Sequence, residues 1–231
     1  MSTYVWGPVL GGEMPKVECF FDCSSPWSYM GFSNLLTLTA RLGLAVIWRP
    51  VVVGFIFEQV NRDVYTQRRL MAPPLKAAYE LKEMQDWADA AGLIIRVPPQ
   101  CGHPINAVSC MRACIALEPT GKLVPFAFAA YEALWRDGRN LGDREVLANI
   151  CHSIDVIPDH LFAAIADDAV KQALKLNNDE LARRGGFGVP TFYVEEEMFF
   201  GNNRMLLVED ALRTQMRKLE RAVASPTLSG S

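Results

Sequence analysis

Residues 17–31 combine a buried-strand pattern with the start of a helix, and this stretch most constrains the fold. Val17 to Phe21 has the length and largely apolar character of a buried strand. Ser25-Pro26 is typical of a helix start, with serine at the N-cap and proline at the first helical position. In α/β folds, such a turn lies at the carboxyl edge of the sheet, where their chemistry takes place. Ser25 is therefore predicted to lie beside free helix N–H groups and a partial positive charge.

The following residues complete a β-α-β unit. Apolar residues recur at helical spacing from Pro26 to Leu42, and Gly43 is a typical helix stop. Residues 44–49 and 51–53 predict a second buried strand that is interrupted by Pro50. Because one helix joins the two strands, we expect them to be parallel and the crossover to be right-handed.

A long helical block is predicted after this unit. Residues 58–72 are polar and without periodicity, and no strand alternation occurs between residues 100 and 184. Helices are expected at Leu75–Ala91, Ile105–Leu117, Val124–Arg136, Asp143–Ser153 and Pro158–Arg184, with Asp143 and Asp159 as caps of the last two.

Strand signals return near the end of the chain. Thr191–Val194 and Met198–Phe200 flank an acidic turn and predict a β-hairpin, and Asn203–Val223 predicts a closing amphipathic helix. The order β-α-β, helices, β-β-α predicts an α/β fold with a thioredoxin-like core and a large all-helical insertion. We expect residues 17–57 and 186–223 to form the thioredoxin-like domain and residues 58–185 the helical domain.

Composition and charge exclude several function classes. Half of the 231 residues are hydrophobic, and the net charge is −3, so a large core is expected but no basic surface for nucleic acid or an anionic membrane. The longest apolar stretch, residues 44–57, is interrupted by Arg49 and Pro50 and is too short to span a bilayer. Residues 1–16 lack a signal-peptide pattern, so we expect a cytoplasmic protein.

The cysteines and histidines do not predict a disulfide or a metal site. No two of the six cysteines form a C-x-x-C pair, and we expect all six to be reduced and mostly buried. His103, His152 and His160 are isolated in sequence, without the spacing of metal ligands. Each histidine is expected to be structural or exposed.

Val189-Pro190-Thr191 opens the predicted third strand. Thioredoxin-like folds carry a cis proline at this place, beside the active site. A cis peptide leaves the backbone N–H and C=O of the preceding residue available for an extended ligand. We therefore predict a cis bond between Val189 and Pro190, with an ordinary trans proline at a strand start as the alternative.

The helix start is informative because it contains serines where thioredoxin-like oxidoreductases carry Cys-x-x-Cys, whose first thiol is activated by the helix N-terminus. Ser25-Pro26-Trp27-Ser28 occupies this position here. A serine hydroxyl forms no disulfide, but it can donate a hydrogen bond to the thiolate of another molecule. Such a site needs an external thiol, and glutathione is the obvious candidate. The alternative is that Ser25 serves only as a helix cap, worth roughly 1 kcal/mol.

Three motifs resemble one enzyme family. They are Phe-Phe-Asp-x-x-Ser-Pro-Trp-Ser-Tyr at residues 20–29, Gly-Val-Pro-Thr-Phe at 188–192 and Phe-Phe-Gly-Asn-Asn-Arg-Met at 199–205. Together with the helical insertion, they resemble the 2-hydroxychromene-2-carboxylate isomerase family. That family is similar to kappa-class glutathione transferases and belongs to the DsbA-like thioredoxin superfamily. The resemblance covers residues 17 to about 220.

The resemblance implies roles for several residues. Ser25 would be the catalytic residue that holds the sulfur of glutathione as a thiolate. Val189, before Pro190, would pair with the backbone of glutathione. Apart from the resemblance, Trp27 is a candidate aromatic residue of the site, with a place in the helix core as the alternative.

The other implied glutathione contacts are asparagines. Asn61, seven residues after Gly54, falls where the family places an asparagine that contacts glutathione. Asn202 and Asn203 open the last helix, where family members often carry Ser-Asp to hold the γ-glutamyl end. A helix N-terminus suits that carboxylate, but the chain lacks the acidic residue that would face the ammonium group.

The implied function is a glutathione-dependent isomerase that acts on small aromatic-degradation intermediates as a homodimer. The thiolate would add to the substrate, allow rotation about the former double bond, and then leave. A kappa-class transferase that acts on electrophiles is the first alternative. A dithiol oxidoreductase, against which Ser-x-x-Ser argues, and a non-catalytic thiol-binding module are the others.

Overall fold

The computed structural model describes residues 14–60 and 74–224 of the chain. A four-stranded sheet of order β2-β1-β3-β4 lies at its centre. The strands are β1 (Val17–Phe21), β2 (Val46–Pro50), β3 (Thr191–Val194) and β4 (Glu197–Phe200). β1 is parallel to β2 and antiparallel to β3, which is antiparallel to β4. The carboxyl ends of β1, β2 and β4 and the amino end of β3 therefore meet at one edge of the sheet.

Most of the remaining described chain is helical. They are α1 (Pro26–Leu42), α2 (Val53–Val60), α3 (Pro74–Ala90), α4 (Val108–Leu117), α5 (Leu123–Tyr131), α6 (Arg144–Ser153), α7 (Pro158–Ala164), α8 (Asp168–Arg183) and α9 (Met205–Ala224). Short helical turns extend three of them: 3₁₀ turns at Glu118–Thr120 and Asn202–Arg204, and a π-helical turn at Glu132–Arg136. The order β-α-β, helices, β-β-α is the predicted one.

Helix α1 has the predicted bounds because both of its ends are encoded locally. Ser25 is the N-cap, with an extended backbone, and Pro26 occupies the first helical position. Gly43 ends the helix in the left-handed conformation at φ 68°, which costs glycine little because it has no Cβ. On the sheet side of α1, the Phe32 ring lies 4.1 Å from Trp48 and 5.0 Å from Phe21, measured between ring centroids. These aromatic contacts hold the helix on the sheet.

The prediction of a strand at residues 51–53 is wrong. β2 ends at Pro50, and α2 begins at Val53. Two side chains take the backbone N–H groups of this segment: Asn178 Oδ1 accepts from Val52 at 3.0 Å, and Asp22 Oδ2 accepts from Val53 at 2.8 Å. Val51 still donates its N–H to the Phe21 carbonyl of β1 at 3.0 Å, but these long-range hydrogen bonds take Val52 and Val53 out of the sheet.

The single helix predicted at residues 158–184 is also wrong, because the chain forms α7 and α8 with a break between them. Asp167 caps α8, and its carboxylate accepts from the backbone N–H of Ala169 at 2.7 Å. Asp159 lies in the first turn of α7 rather than at its cap, which is Ile157. Asp143 occupies the N-cap position of α6 as predicted, but its side chain makes no capping hydrogen bond.

All six cysteines are free, as predicted, and five of them are buried, while Cys101 is exposed. Within residues 14–60 and 74–224, no helix is long and apolar enough to cross a membrane.

A buried carboxylate ties the opposite edge of the sheet together. The Glu18 side chain is 1% exposed and contacts Arg184 at 2.8 Å, Arg49 at 2.9 Å and Lys16 at 3.1 Å. Burial alone would raise the pKa of Glu18, but hydrogen bonds from the three cations outweigh it and hold the pKa below its usual value. Glu18 is therefore charged in the folded protein and links β1 to β2 and to the end of α8.

Replacing Glu18 by Gln should lower the free energy of unfolding by about 3 kcal/mol at neutral pH, because Arg184 loses its buried partner. The folded-state pKa of Glu18 is depressed, so its contribution is present above the unfolded-state pKa and is lost as pH falls through the folded-state pKa. Urea unfolding of wild type and E18Q, from neutral to acidic pH, measures the difference in their free energies of unfolding. A difference between wild type and E18Q that stays constant down to strongly acidic pH would contradict the assignment.

Candidate functional site

The candidate site is built around Ser25, at the junction of β1 and α1. Its Oγ accepts a hydrogen bond from the backbone N–H of Ser28 at 3.2 Å. Within the part of the chain that the structure describes, the hydroxyl proton has no acceptor. Ser25 is therefore a cap, as predicted, and also a free hydrogen-bond donor at a helix N-terminus.

The turn that carries Ser25 is held by a buried carboxylate. Asp22 is 0% exposed, and its Oδ1 accepts from both the N–H and the hydroxyl of Ser24 at 2.8 Å. Its Oδ2 accepts from Val53 at 2.8 Å, which ties the turn to the start of α2. Burial raises the pKa of Asp22, although these hydrogen bonds oppose the shift. The carboxyl group serves to fix the turn, since each of its oxygens already accepts from the protein.

The other residues of Ser-Pro-Trp-Ser have different environments. Ser28 is buried, and its Oγ accepts from the backbone N–H of Asp22 at 3.2 Å, so it stabilises the turn and is inaccessible. Trp27 is half-buried against the core, in the first turn of α1 beside Ser25. The two serines are therefore not equivalent: Ser25 faces outward and Ser28 is structural.

The predicted cis bond between Val189 and Pro190 is present. Pro190 packs closely against α1 at Gly31, where an added Cβ would lie 2.7 Å from Pro190 Cγ. Val189 is buried, and its backbone makes no hydrogen bond to other residues in the described ranges. The backbone of Val189 thus offers one N–H and one C=O at the same sheet edge as Ser25.

The start of the last helix lies next to this loop. Gly201 N–H donates to the Pro190 carbonyl at 2.9 Å. Asn202 follows, 1% exposed, and its Oδ1 accepts from Asn34 of α1 at 2.8 Å. Its Nδ2 is buried and has no partner among the residues described. Asn203 is exposed.

Most of the residues implied by the resemblance therefore meet at one sheet edge: Ser25, Trp27, Val189, Pro190, Asn202 and Asn203. Asn61 lies outside the described residues.

Two ring donors from the helical block, not foreseen from the sequence, hold the same turn. Trp135 Nε1 donates to the Cys23 carbonyl at 3.0 Å, and His103 Nε2 lies 3.0 Å from the Ser24 carbonyl. Their ring centroids are 5.6 Å apart. The contacting residues are 112 and 79 positions apart in sequence, so no local sequence pattern predicts these contacts.

A cluster of thiols lies beneath the turn. Cys23, Cys110 and Cys114 are fully buried and interact with one another. Burial raises the pKa of the Cys23 thiol well above its usual value, and its hydrogen bonds with the other two thiols add to the shift. Cys23 is therefore a neutral thiol despite its position two residues before Ser25.

Comparison with known families agrees with this geometry. The family model described as a DSBA-like thioredoxin domain matches residues 16–213. The chain belongs to this family. Its mixed sheet, helical block and cis proline are accordingly those of a DSBA-like thioredoxin fold.

Two relatives and one solved structure are similar to this DSBA-like chain over most of its length. A 2-hydroxychromene-2-carboxylate isomerase of Sphingobium xenophagum is 23% identical over 85% of this chain and 97% of its own length. A kappa 2 glutathione transferase of Caenorhabditis elegans is 24% identical over 85% of this chain and 91% of its own length. The solved structure of a 2-hydroxychromene-2-carboxylate isomerase matches 90% of this chain and 98% of its own, with a TM-score of 0.77 and 20% identity. The resemblance seen in the motifs is thereby confirmed, and these relatives are enzymes.

Replacing Gly31 by Ala should destabilise the DSBA-like fold by about 2 kcal/mol and displace the Pro190 loop, because the new Cβ meets Pro190 and the Phe192 ring, 3.0 Å away. Gly54→Ala in α2 is the matched control, since among the described residues nothing beyond its chain neighbours and its own helix backbone lies within 4 Å of the added Cβ. Urea unfolding should show a loss for G31A and no loss for G54A. Equal stabilities for the two variants would refute the close contact between α1 and the loop.

Proposed function

We propose that this DSBA-like protein is a glutathione-dependent isomerase of the 2-hydroxychromene-2-carboxylate type. One observation carries the proposal. Ser25 Oγ already accepts from Ser28 N–H, so its hydroxyl proton is the group directed out of the helix N-terminus. A hydroxyl donor and the helix dipole together stabilise a thiolate that a ligand brings.

The remaining residues fit a glutathione molecule laid along the sheet edge. The backbone N–H and C=O of Val189 can pair with an extended peptide, as an added strand would. Asn202 Nδ2 is a buried donor that has no partner in residues 14–60 and 74–224, and such a donor costs about 1–3 kcal/mol until an acceptor reaches it. The N-terminal end of the last helix favours a carboxylate, which the γ-glutamyl end of glutathione carries.

When bound, glutathione supplies a thiolate that adds to the electrophilic carbon of the substrate, so that a double bond becomes a single bond and can rotate before the sulfur leaves. Ser25 would lower the thiol pKa by donating a hydrogen bond from its hydroxyl to the charged sulfur. Trp27 and the helical block form the walls that orient a small aromatic substrate. In this reaction glutathione would act as a cofactor and would not be consumed.

A kappa-class transferase activity is the second candidate, and the similarity to the Caenorhabditis elegans transferase supports it equally well. Both activities need the same thiolate site. They differ in the fate of glutathione, which a transferase consumes. Incubation with 2-hydroxychromene-2-carboxylate and, separately, with a general electrophile such as a chloronitrobenzene distinguishes them by the amount of free thiol that remains.

A dithiol oxidoreductase is disfavoured by the thiols themselves. The five buried cysteines are inaccessible, and the exposed one, Cys101, is part of the helical block rather than of the α1 start.

The proposal extends to organisation and location. The protein would act in the cytoplasm as a homodimer, with residues 17–57 and 186–223 forming the thioredoxin-like domain and residues 58–185 the helical domain. Asn61 would contribute a further glutathione contact.

Replacing Ser25 by Ala should lower turnover roughly 100-fold, because it removes a donor aimed at a developing charge. The fold should survive, since loss of the cap costs about 1 kcal/mol. Thr37→Ala is the matched control: it removes a hydroxyl from the exposed face of the same helix. Steady-state rates and the thiol pKa of bound glutathione, from ultraviolet thiolate absorbance, are the measurements. Wild-type rates and thiol pKa in S25A would overturn the assignment.

Replacing Asn203 by Asp should tighten glutathione binding, because a carboxylate at this exposed position would face the ammonium group of the γ-glutamyl end. The gain expected for one partly exposed charge pair is about 1 kcal/mol, or roughly fivefold in Kd. Calorimetric titration with glutathione measures it, and a glutathione analogue without the amino group should show no gain. Unchanged affinity for both ligands would place the γ-glutamyl end elsewhere.

A further inference from the structure

We propose that His103 is a positioning residue for Ser25. By holding the Ser24 carbonyl, it fixes the direction in which the Ser25 hydroxyl meets the thiol of the ligand. The inference rests on the proposed function, because the direction of this hydroxyl matters only if it contacts a sulfur. His103 acts through the backbone and touches no reacting atom.

The peptide unit between Ser24 and Ser25 is held at both ends. Its carbonyl oxygen lies 3.0 Å from His103 Nε2, and its N–H donates to the Asp22 carbonyl at 3.0 Å. Since a carbonyl only accepts, Nε2 carries the proton of the ring. The plane of this peptide, with the φ of −109° at Ser25, sets the direction of the Ser25 Cα–Cβ bond.

The donor itself is anchored in the helical block. The segment before His103 is bonded to the π-helical turn and its end: Arg96 N–H donates to the Trp135 carbonyl at 2.8 Å, and Cys101 N–H donates to the Gly138 carbonyl at 3.1 Å. From this π-helical turn, Trp135 Nε1 donates to the Cys23 carbonyl. Two consecutive carbonyls of the turn are thus held by ring donors from two segments that are hydrogen-bonded to each other.

Trp135 and His103 differ in burial, so substituting them has different consequences. Trp135 is 2% exposed and belongs to the hydrophobic core, so its loss would disturb packing as well as the hydrogen bond. His103 is exposed and lies outside the hydrophobic core, with its ring against that of Trp135. The hydrogen bond to the turn is therefore the main contribution of His103, and its removal leaves the core intact.

The test compares three variants of the full chain with wild type, using reduced glutathione as the probe. His103→Leu removes the donor, His103→Gln keeps an N–H near the Nε2 position, and His103→Asn keeps one near Nδ1, which does not make the bond. H103L and H103N should lower kcat about fivefold and raise the thiol pKa of bound glutathione toward its S25A value, with KM nearly unchanged. H103Q should keep both kcat and the thiol pKa of bound glutathione at their wild-type values. His160→Leu, at an exposed position of α7, is the control and should match wild type.

Amide hydrogen exchange at Ser25 gives a readout that does not involve glutathione. Its N–H should exchange faster in H103L and H103N than in wild type and at the wild-type rate in H103Q. If wild-type protein fails to bind glutathione or to lower its thiol pKa, the proposed function fails and this inference with it. If wild type does both and H103L matches it in rate, thiol pKa and exchange, only the positioning role of His103 is wrong.

Discussion

The buried carboxylate of Asp22 is the interaction on which the site depends. It stands at the end of β1 and accepts hydrogen bonds from Ser24 and from Val53, at the start of α2. Burial of a charged group is costly unless its lone pairs are used, and here they are. One side chain thereby sets where β1 ends, how the turn enters α1 and where α2 begins.

The helical block completes the turn instead of merely covering it. Trp135 and His103 donate to consecutive carbonyls, and the Cys23 N–H lies 3.3 Å from the sulfur of Met111 on α4. From the other side, Gly201 and Asn202 connect the last helix to Pro190 and to α1. Segments distant in sequence therefore share the task of fixing one hydroxyl group.

The chemistry follows from which groups are accessible. Cys23 lies close to the helix start, but burial among other thiols raises its pKa, so it is held neutral and enclosed. Ser25, two residues later, is partly exposed and has a proton to donate. A site with a helix N-terminus and a hydroxyl donor, but no accessible thiol of its own, is suited to stabilise sulfur that arrives with a ligand.

Local residues alone determined the cap at Ser25, the stop at Gly43 and the hairpin after Thr191, because each depends on neighbours within a few residues. They also predicted the order of elements and hence the fold. The cis bond at Pro190 was predicted from its place in the order of elements, since the local residues also allow a trans proline. Only tertiary structure decided that Val52 and Val53 leave the sheet, because Asn178 and Asp22, 126 and 31 residues away, accept from their N–H groups. It likewise decided the role of His103, whose partner lies 79 residues earlier. Hydrogen bonds between residues so far apart in sequence depend on how the helices pack, and local sequence patterns do not predict that packing.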